Sequence, residues 1–257
     1  MIKRAALACL VALAGFCGPT LSAQRRGAAQ ERLPVGEAVL DKYVEATGGA
    51  EAWGKIKTFA ARGTFTMTVQ GQPLRGNAIV YGREPNLQYM EIRIDGAGTS
   101  IQASDGKNAW EIDLDGKVAI KSGKELEIAL ESNYVNDAKW RDRYISVQTK
   151  GTKRVEGEEC YEVIATTRAG KTSTSYYSKK TGLKVKEDSQ VFKDYKDIGG
   201  VLIPFVQITE EEGLKISIKH REIKINVNIP PGTFDPPPQV REMLGGRNRP
   251  PNAQRRR

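Results

Sequence analysis

From Thr58 onward the strongest pattern in this chain is an alternation of apolar and polar residues with a period of two. Phe65, Met67 and Val69 alternate with Thr64, Thr66 and Thr68, and Met90, Ile92 and Ile94 with Glu91, Arg93 and Asp95. Trp110, Ile112 and Leu114 alternate with Glu111 and Asp113. Successive side chains of a strand point to opposite faces, so each run reads as a strand with one buried face. Turn chemistry separates the runs: Gln70-Gly71-Gln72-Pro73, Glu84-Pro85-Asn86, Asp105-Gly106-Lys107-Asn108 and Asp115-Gly116, all rich in residues that permit or preset a bend. Further strands are predicted over residues 160–167, 171–178, 183–192, 202–210 and 214–229. Such a series folds as an antiparallel meander.

Helical spacing is scarce by comparison. Val35, Val39, Leu40, Tyr43 and Val44 form one apolar stripe that stops at Gly48-Gly49, a pair suited to a left-handed cap. A short turn over residues 50–56 carries Trp53, and Leu126, Ala129, Leu130 and Tyr134 place a third helix over 124–134, loosely continued to Tyr144. Two or three short helices cannot cover the apolar faces of about nine or ten strands. The sheet must therefore curl, either into a filled barrel or into a part-open one around a cavity. The pattern leaves both open.

The chain divides into four expected regions. Lys3 and Arg4, the apolar run from Ala5 to Phe16 and the small residues Leu21-Ser22-Ala23 read as a secretory signal over residues 1–23, cleaved after Ala23. The apolar run is too short to span a bilayer. Residues 24–34 read as a flexible lead-in, 35–235 as one β domain, and 236–257 as a Pro/Arg-rich basic tail without fixed structure. Cleavage removes Cys9 and Cys17, leaving Cys160, which sits in an alternating strand pattern and reads as a buried, inert thiol. Periplasmic or otherwise exported placement follows.

The net charge of +9 is concentrated at the ends. Residues 33–240 hold 29 basic and 29 acidic side chains, whereas 241–257 hold six arginines against Glu242. The balanced body offers no basic stripe for nucleic acid. The tail reads as a solvated end or as a tether to an anionic membrane surface. Catalytic chemistry is equally thin. His220 is the single histidine, flanked by Lys219 and Arg221, and reads as a solvated strand residue. No G-x-S-x-G, phosphate loop or dinucleotide fingerprint occurs, and nothing calls for a metal or another cofactor.

Several segments resemble a known family. Val80-Tyr81-Gly82-Arg83-Glu84-Pro85-Asn86-Leu87-Gln88-Tyr89 resembles a strand pair of the LolA/LolB lipoprotein carriers, followed at the expected distance by Ser104-Asp105-Gly106-Lys107-Asn108-Ala109-Trp110. Tyr43-Val44-Glu45-Ala46-Thr47-Gly48-Gly49 with Ile56-Lys57-Thr58 is similar to the opening of the broader outer-membrane lipoprotein-sorting group. Gly182-Leu183 and the stretch from Asp194 to Phe205 are similar to its second half. The resemblance implies a mainly β fold: a half-open curved antiparallel sheet, an incomplete barrel, with a few short helices covering a concave face that receives acyl chains. Gln88 or Tyr89 stands where the carriers have an arginine, so that residue's role is not carried over. The expected ligand-binding residues are Phe65, Met67, Val69, Met90, Ile92, Trp110 and Ile112, with the inward face assigned from polarity alone. The leading reading is a non-catalytic carrier for lipoprotein acyl chains or another hydrophobic ligand. A filled-barrel structural module of an envelope complex is the alternative, and a secreted hydrolase the third. The sequence does not fix an oligomeric state.

Overall fold

The computed structural model describes residues 32–131 and 138–247. Helices α1 (Gly36–Ala46) and α2 (Gly49–Gly54) precede strands β1 (Thr58–Val69), β2 (Gln72–Arg83), β3 (Leu87–Ile94), β4 (Gly98–Asp105), β5 (Ala109–Ile112) and β6 (Val118–Ile120). Helices α3 (Gly123–Glu131) and α4 (Trp140–Arg143) follow. The second half holds β7 (Tyr144–Val155), β8 (Glu158–Thr167), β9 (Thr172–Ser178), β10 (Lys184–Glu187), β11 (Gln190–Ile198), β12 (Val201–Glu211) and β13 (Leu214–Ile225), and ends in α5 (Pro238–Arg247).

All strands join one antiparallel sheet of 13, in the order β6-β5-β4-β3-β2-β1-β13-β12-β11-β10-β9-β8-β7. Each half is a meander, and the halves meet where β1 pairs with β13. The sheet has two edges, β6 and β7, and is an incomplete barrel. It curls because strand twist accumulates and because the ladder shifts register at several points. One shift lies between Arg62 and Gly63. A Cβ on Gly63 would lie 2.4 Å from the Lys219 carbonyl oxygen, so the bulge there needs glycine.

Helices α1 and α2 lie on the concave side. Val39, Leu40, Tyr43 and Val44 of α1 pack against Val163 and Tyr177 of β8 and β9. Trp53 and Ile56 pack against Phe59, Val80, Val201, Phe205 and Ile223. The corner between α1 and α2 is built around buried Thr47. Its hydroxyl donates to the Tyr43 carbonyl (2.8 Å) and accepts the Trp53 indole N–H (3.0 Å), while its own carbonyl accepts the Leu202 N–H (3.0 Å). Gly48 follows at φ +116°, and a Cβ there would fall 2.1 Å from the Gly200 carbonyl oxygen. The Thr47-Gly48 corner is thereby seated directly on the β11–β12 turn.

Several expectations change. Of the helical continuation expected to Tyr144, the described residues form only α4, and a twelve-residue edge strand not expected from the sequence, β7, starts at Tyr144. The single strand expected over 183–192 is two, split at Asp188 with φ +49°. The last strand stops at Ile225, where Asn226 turns out at φ +54° and accepts the Lys57 N–H through its side chain. Residues 238–247, read as structureless, form α5 on the convex face, with Val240 fully buried against Ala103, Trp110 and Ile112. Tyr134, residues 1–31 and the arginines beyond 247 lie outside the described residues.

Candidate ligand-binding site

In an antiparallel ladder, directly opposed residues point to the same face. Ala61 opposes Val80 and Ile223, Val80 opposes Met90, Met90 opposes Gln102, and Gln102 opposes Glu111. Phe65 and Met67 lie opposite Ile218 and Ile216. These positions trace the concave face. Where α1 and α2 leave it uncovered, they surround a cavity of about 500 Å³. Phe65, Met67, Met90, Ile92, Ile216 and Ile218 make its apolar part, extended by Phe59, Val80, Ile94 and Leu114. Polar side chains stand on the walls: Ser100 and Gln102 on β4, Gln190 on β11, Gln207 and Thr209 on β12, and His220 on β13.

Four of the seven expected residues, Phe65, Met67, Met90 and Ile92, come together in this cavity. Val69 does not; it lies at the end of β1 and is 41% exposed. Trp110 and Ile112 require a correction. On β5 it is Glu111 that faces inward, where it pairs with Lys121 at 3.2 Å, and the two apolar neighbours face the convex side beneath α5. Polarity misassigned them because α5 buries the outer face of this strand, so apolar character no longer marks the concave side. Trp110 lines a second hollow, of about 410 Å³, on that convex face with Tyr81, Tyr89, Glu91 and Asp235. There the Tyr89 hydroxyl donates to Glu91 (2.6 Å), and burial together with that carboxylate raises its pKa.

His220 also differs from expectation. Its Nδ1 is buried without a hydrogen-bond partner, its ring stands edge-on to Phe205 at 6.5 Å, and burial lowers its pKa. It belongs to the cavity wall rather than to solvent. Cys160 is fully buried and free, with its thiol pushed up to about 11 by burial. Gln88, at the place of the carriers' arginine, donates to the Ala129 carbonyl (2.6 Å) and ties α3 to the sheet. Among the described residues no group of three His, Cys, Asp or Glu side chains is arranged to hold a metal ion.

The cavity residues missed from sequence fall into two kinds. Ile216 and Ile218 sit in a recognisable alternating strand, but only the β1–β13 register places them beside Met67 and Phe65. Gln190, Gln207 and His220 look like solvent-facing positions in sequence and are half-buried only because the sheet bends around them, while Gln102 stays exposed at the cavity wall.

No protein-family model matches the chain, and no curated protein sequence does. Solved structures do. A DUF1329 family protein from Desulfovibrio piger is 16% identical with a TM-score of 0.54, covering 78% of this chain and 97% of its own. A LolA superfamily protein from Nitrosomonas europaea is 11% identical with a TM-score of 0.54, covering 79% and 99%. A domain assigned to outer membrane lipoprotein sorting, from Vibrio parahaemolyticus, is 9% identical with a TM-score of 0.53, covering 78% and 96%. At such identities the likeness concerns architecture, and on that ground the chain has a LolA/LolB-like fold.

Proposed function

We propose that this chain is an exported, non-catalytic carrier for lipoprotein acyl chains or another hydrophobic ligand. The observation that carries the reading is the cavity of about 500 Å³ on the part of the concave face that α1 and α2 leave uncovered, floored by Phe65, Met67, Ile92, Ile216 and Ile218. Its size lies within the range of small-molecule sites. An acyl chain gains about 0.8 kcal/mol per buried CH₂, so a tail binds there without a charged partner. The fold shared with a lipoprotein-sorting domain and a LolA superfamily protein supports the same reading. Export rests on the signal pattern of residues 1–23, and recovery of the secreted protein with Gln24 at its N-terminus tests it.

The functional test is direct. Organic extraction of the purified protein followed by mass spectrometry should release a co-purified lipid, and a fluorescent acyl probe should bind at micromolar concentration. Ile218→Asp, which places a charge on the cavity floor, should weaken probe binding at least about tenfold. Failure of the unaltered protein to bind any acyl probe overturns the carrier reading.

A further inference from the structure

Apart from Asp113, the cavity's polar groups are uncharged. Ser100 and Gln102 stand on one wall and Gln190, Gln207 and Thr209 on the other, with the apolar floor between them. Gln190 Nε2 donates to Gln207 Oε1 at 3.1 Å, which leaves the Gln207 amide N–H groups and the Gln190 carbonyl oxygen as further donors and acceptor. Among the described residues, the side chains of Ser100, Gln102 and Thr209 make no hydrogen bond of their own. Burial keeps His220 neutral near pH 7.

The one charged lining residue is negative. Asp113 stands at the rim, where its Oδ1 accepts the Asp115 and Lys117 N–H groups at 3.0 and 2.8 Å. No lysine or arginine lines the cavity among the described residues. The cations farther along the concave face are already paired: Lys184 with Glu187 at 2.9 Å, and Lys196 with Asp194 at 3.1 Å, lying over the Phe205 ring. A ligand carboxylate would enter a low-dielectric site with no countercharge and with Asp113 repelling it. An amide, ester or hydroxyl would find both donors and acceptors.

We propose that the site selects amphiphiles whose polar group is uncharged and hydrogen-bonding, and disfavours those ending in a carboxylate. This rests on the carrier reading and names the ligand class within it. Dodecanamide and dodecanoate are near-isosteric and differ in charge, so their competition against an uncharged apolar dye, N-phenylnaphthylamine, isolates the effect. At about pH 8 the amide should displace the dye at least about tenfold more tightly. The gap should widen between about pH 7 and pH 8, because dodecanoate enters only by taking up a proton. Gln207→Lys, or Gln102→Lys on the opposite wall should the first fail to fold, should raise dodecanoate affinity about tenfold and so narrow or reverse the preference for the amide. Equal affinity for both ligands, or tighter dodecanoate binding by the unaltered protein, overturns the proposal while leaving the carrier reading intact. If neither ligand nor the dye binds, the carrier reading fails and takes this one with it.

Discussion

His220 is flanked by Lys219 and Arg221, yet strand alternation sends its ring the other way, toward Phe205 and the cavity. With its folded pKa lowered by burial, the unfolded chain binds more protons than the folded one at mildly acidic pH. Its contribution is therefore complete above the unfolded value of about 6.5 and declines as pH falls through it. The denaturant midpoint should drop from about pH 7 to about pH 5.5, and His220→Gln, which cannot charge, should show a flatter profile. Identical slopes in the two proteins would remove His220 as the source. The sequence could not show this role. A histidine between two cations looks solvated, and its enclosure depends on Phe205, fifteen positions away, meeting it across the bent β12–β13 pair. Cys160 was legible because its alternating run is local, and the structure buries it fully near the start of β8, opposite Ser178.

Among the elements, α1 and most of the strands could be read directly, since their periodicity is local and each buries one face. What escaped depended on a second buried face. α5 looks like part of a disordered tail: it is rich in Pro, Gly and Arg, and only Val240 and Leu244 share its apolar side. That i, i+4 pair was the available signal. Once α5 docks, β5 is buried on both faces, so Trp110 and Ile112 face outward and Glu111 inward. Val240 is fully buried against Trp110, so Val240→Ala should destabilise the protein by about 2 kcal/mol and make the Trp110 region more accessible to a soluble quencher. Unchanged stability and quenching would show that α5 does not hold this face closed. The α1–α2 corner gives a sharper case. Gly48→Ala brings both a strained φ and a 2.1 Å clash with the Gly200 carbonyl oxygen, and should cost about 2 kcal/mol or more in the denaturation midpoint.

At the scale of the molecule, two properties act together: a sheet that does not close, and a charge that is not spread evenly. The open edge-to-edge arrangement leaves the concave cavity reachable from solvent, whereas a filled barrel would have used the same strands to exclude a ligand. Several charged pairs on the body are local and exposed, such as Lys55 with Glu51 and Lys224 with Glu222, and contribute little to long-range attraction. With residues 33–240 balanced at 29 basic and 29 acidic side chains, attraction to an anionic surface has to come from the ends. Arg249, Arg255, Arg256 and Arg257 lie beyond α5 and outside the described residues. At about 1 kcal/mol each near an anionic bilayer, four arginines suffice for a reversible, salt-sensitive tether that brings a carrier to its membrane and lets it leave. We propose that they act in this way. Deleting residues 248–257 keeps α5 and its buried Val240, so thermal stability and acyl-probe binding should be unchanged, while co-sedimentation with phosphatidylglycerol vesicles at low salt should be lost. The full-length protein should bind those vesicles at low salt and release them as ionic strength rises past the point where the Debye length falls to about 10 Å. Equal sedimentation of the truncated and full-length proteins would place the attraction elsewhere and rule the tether out.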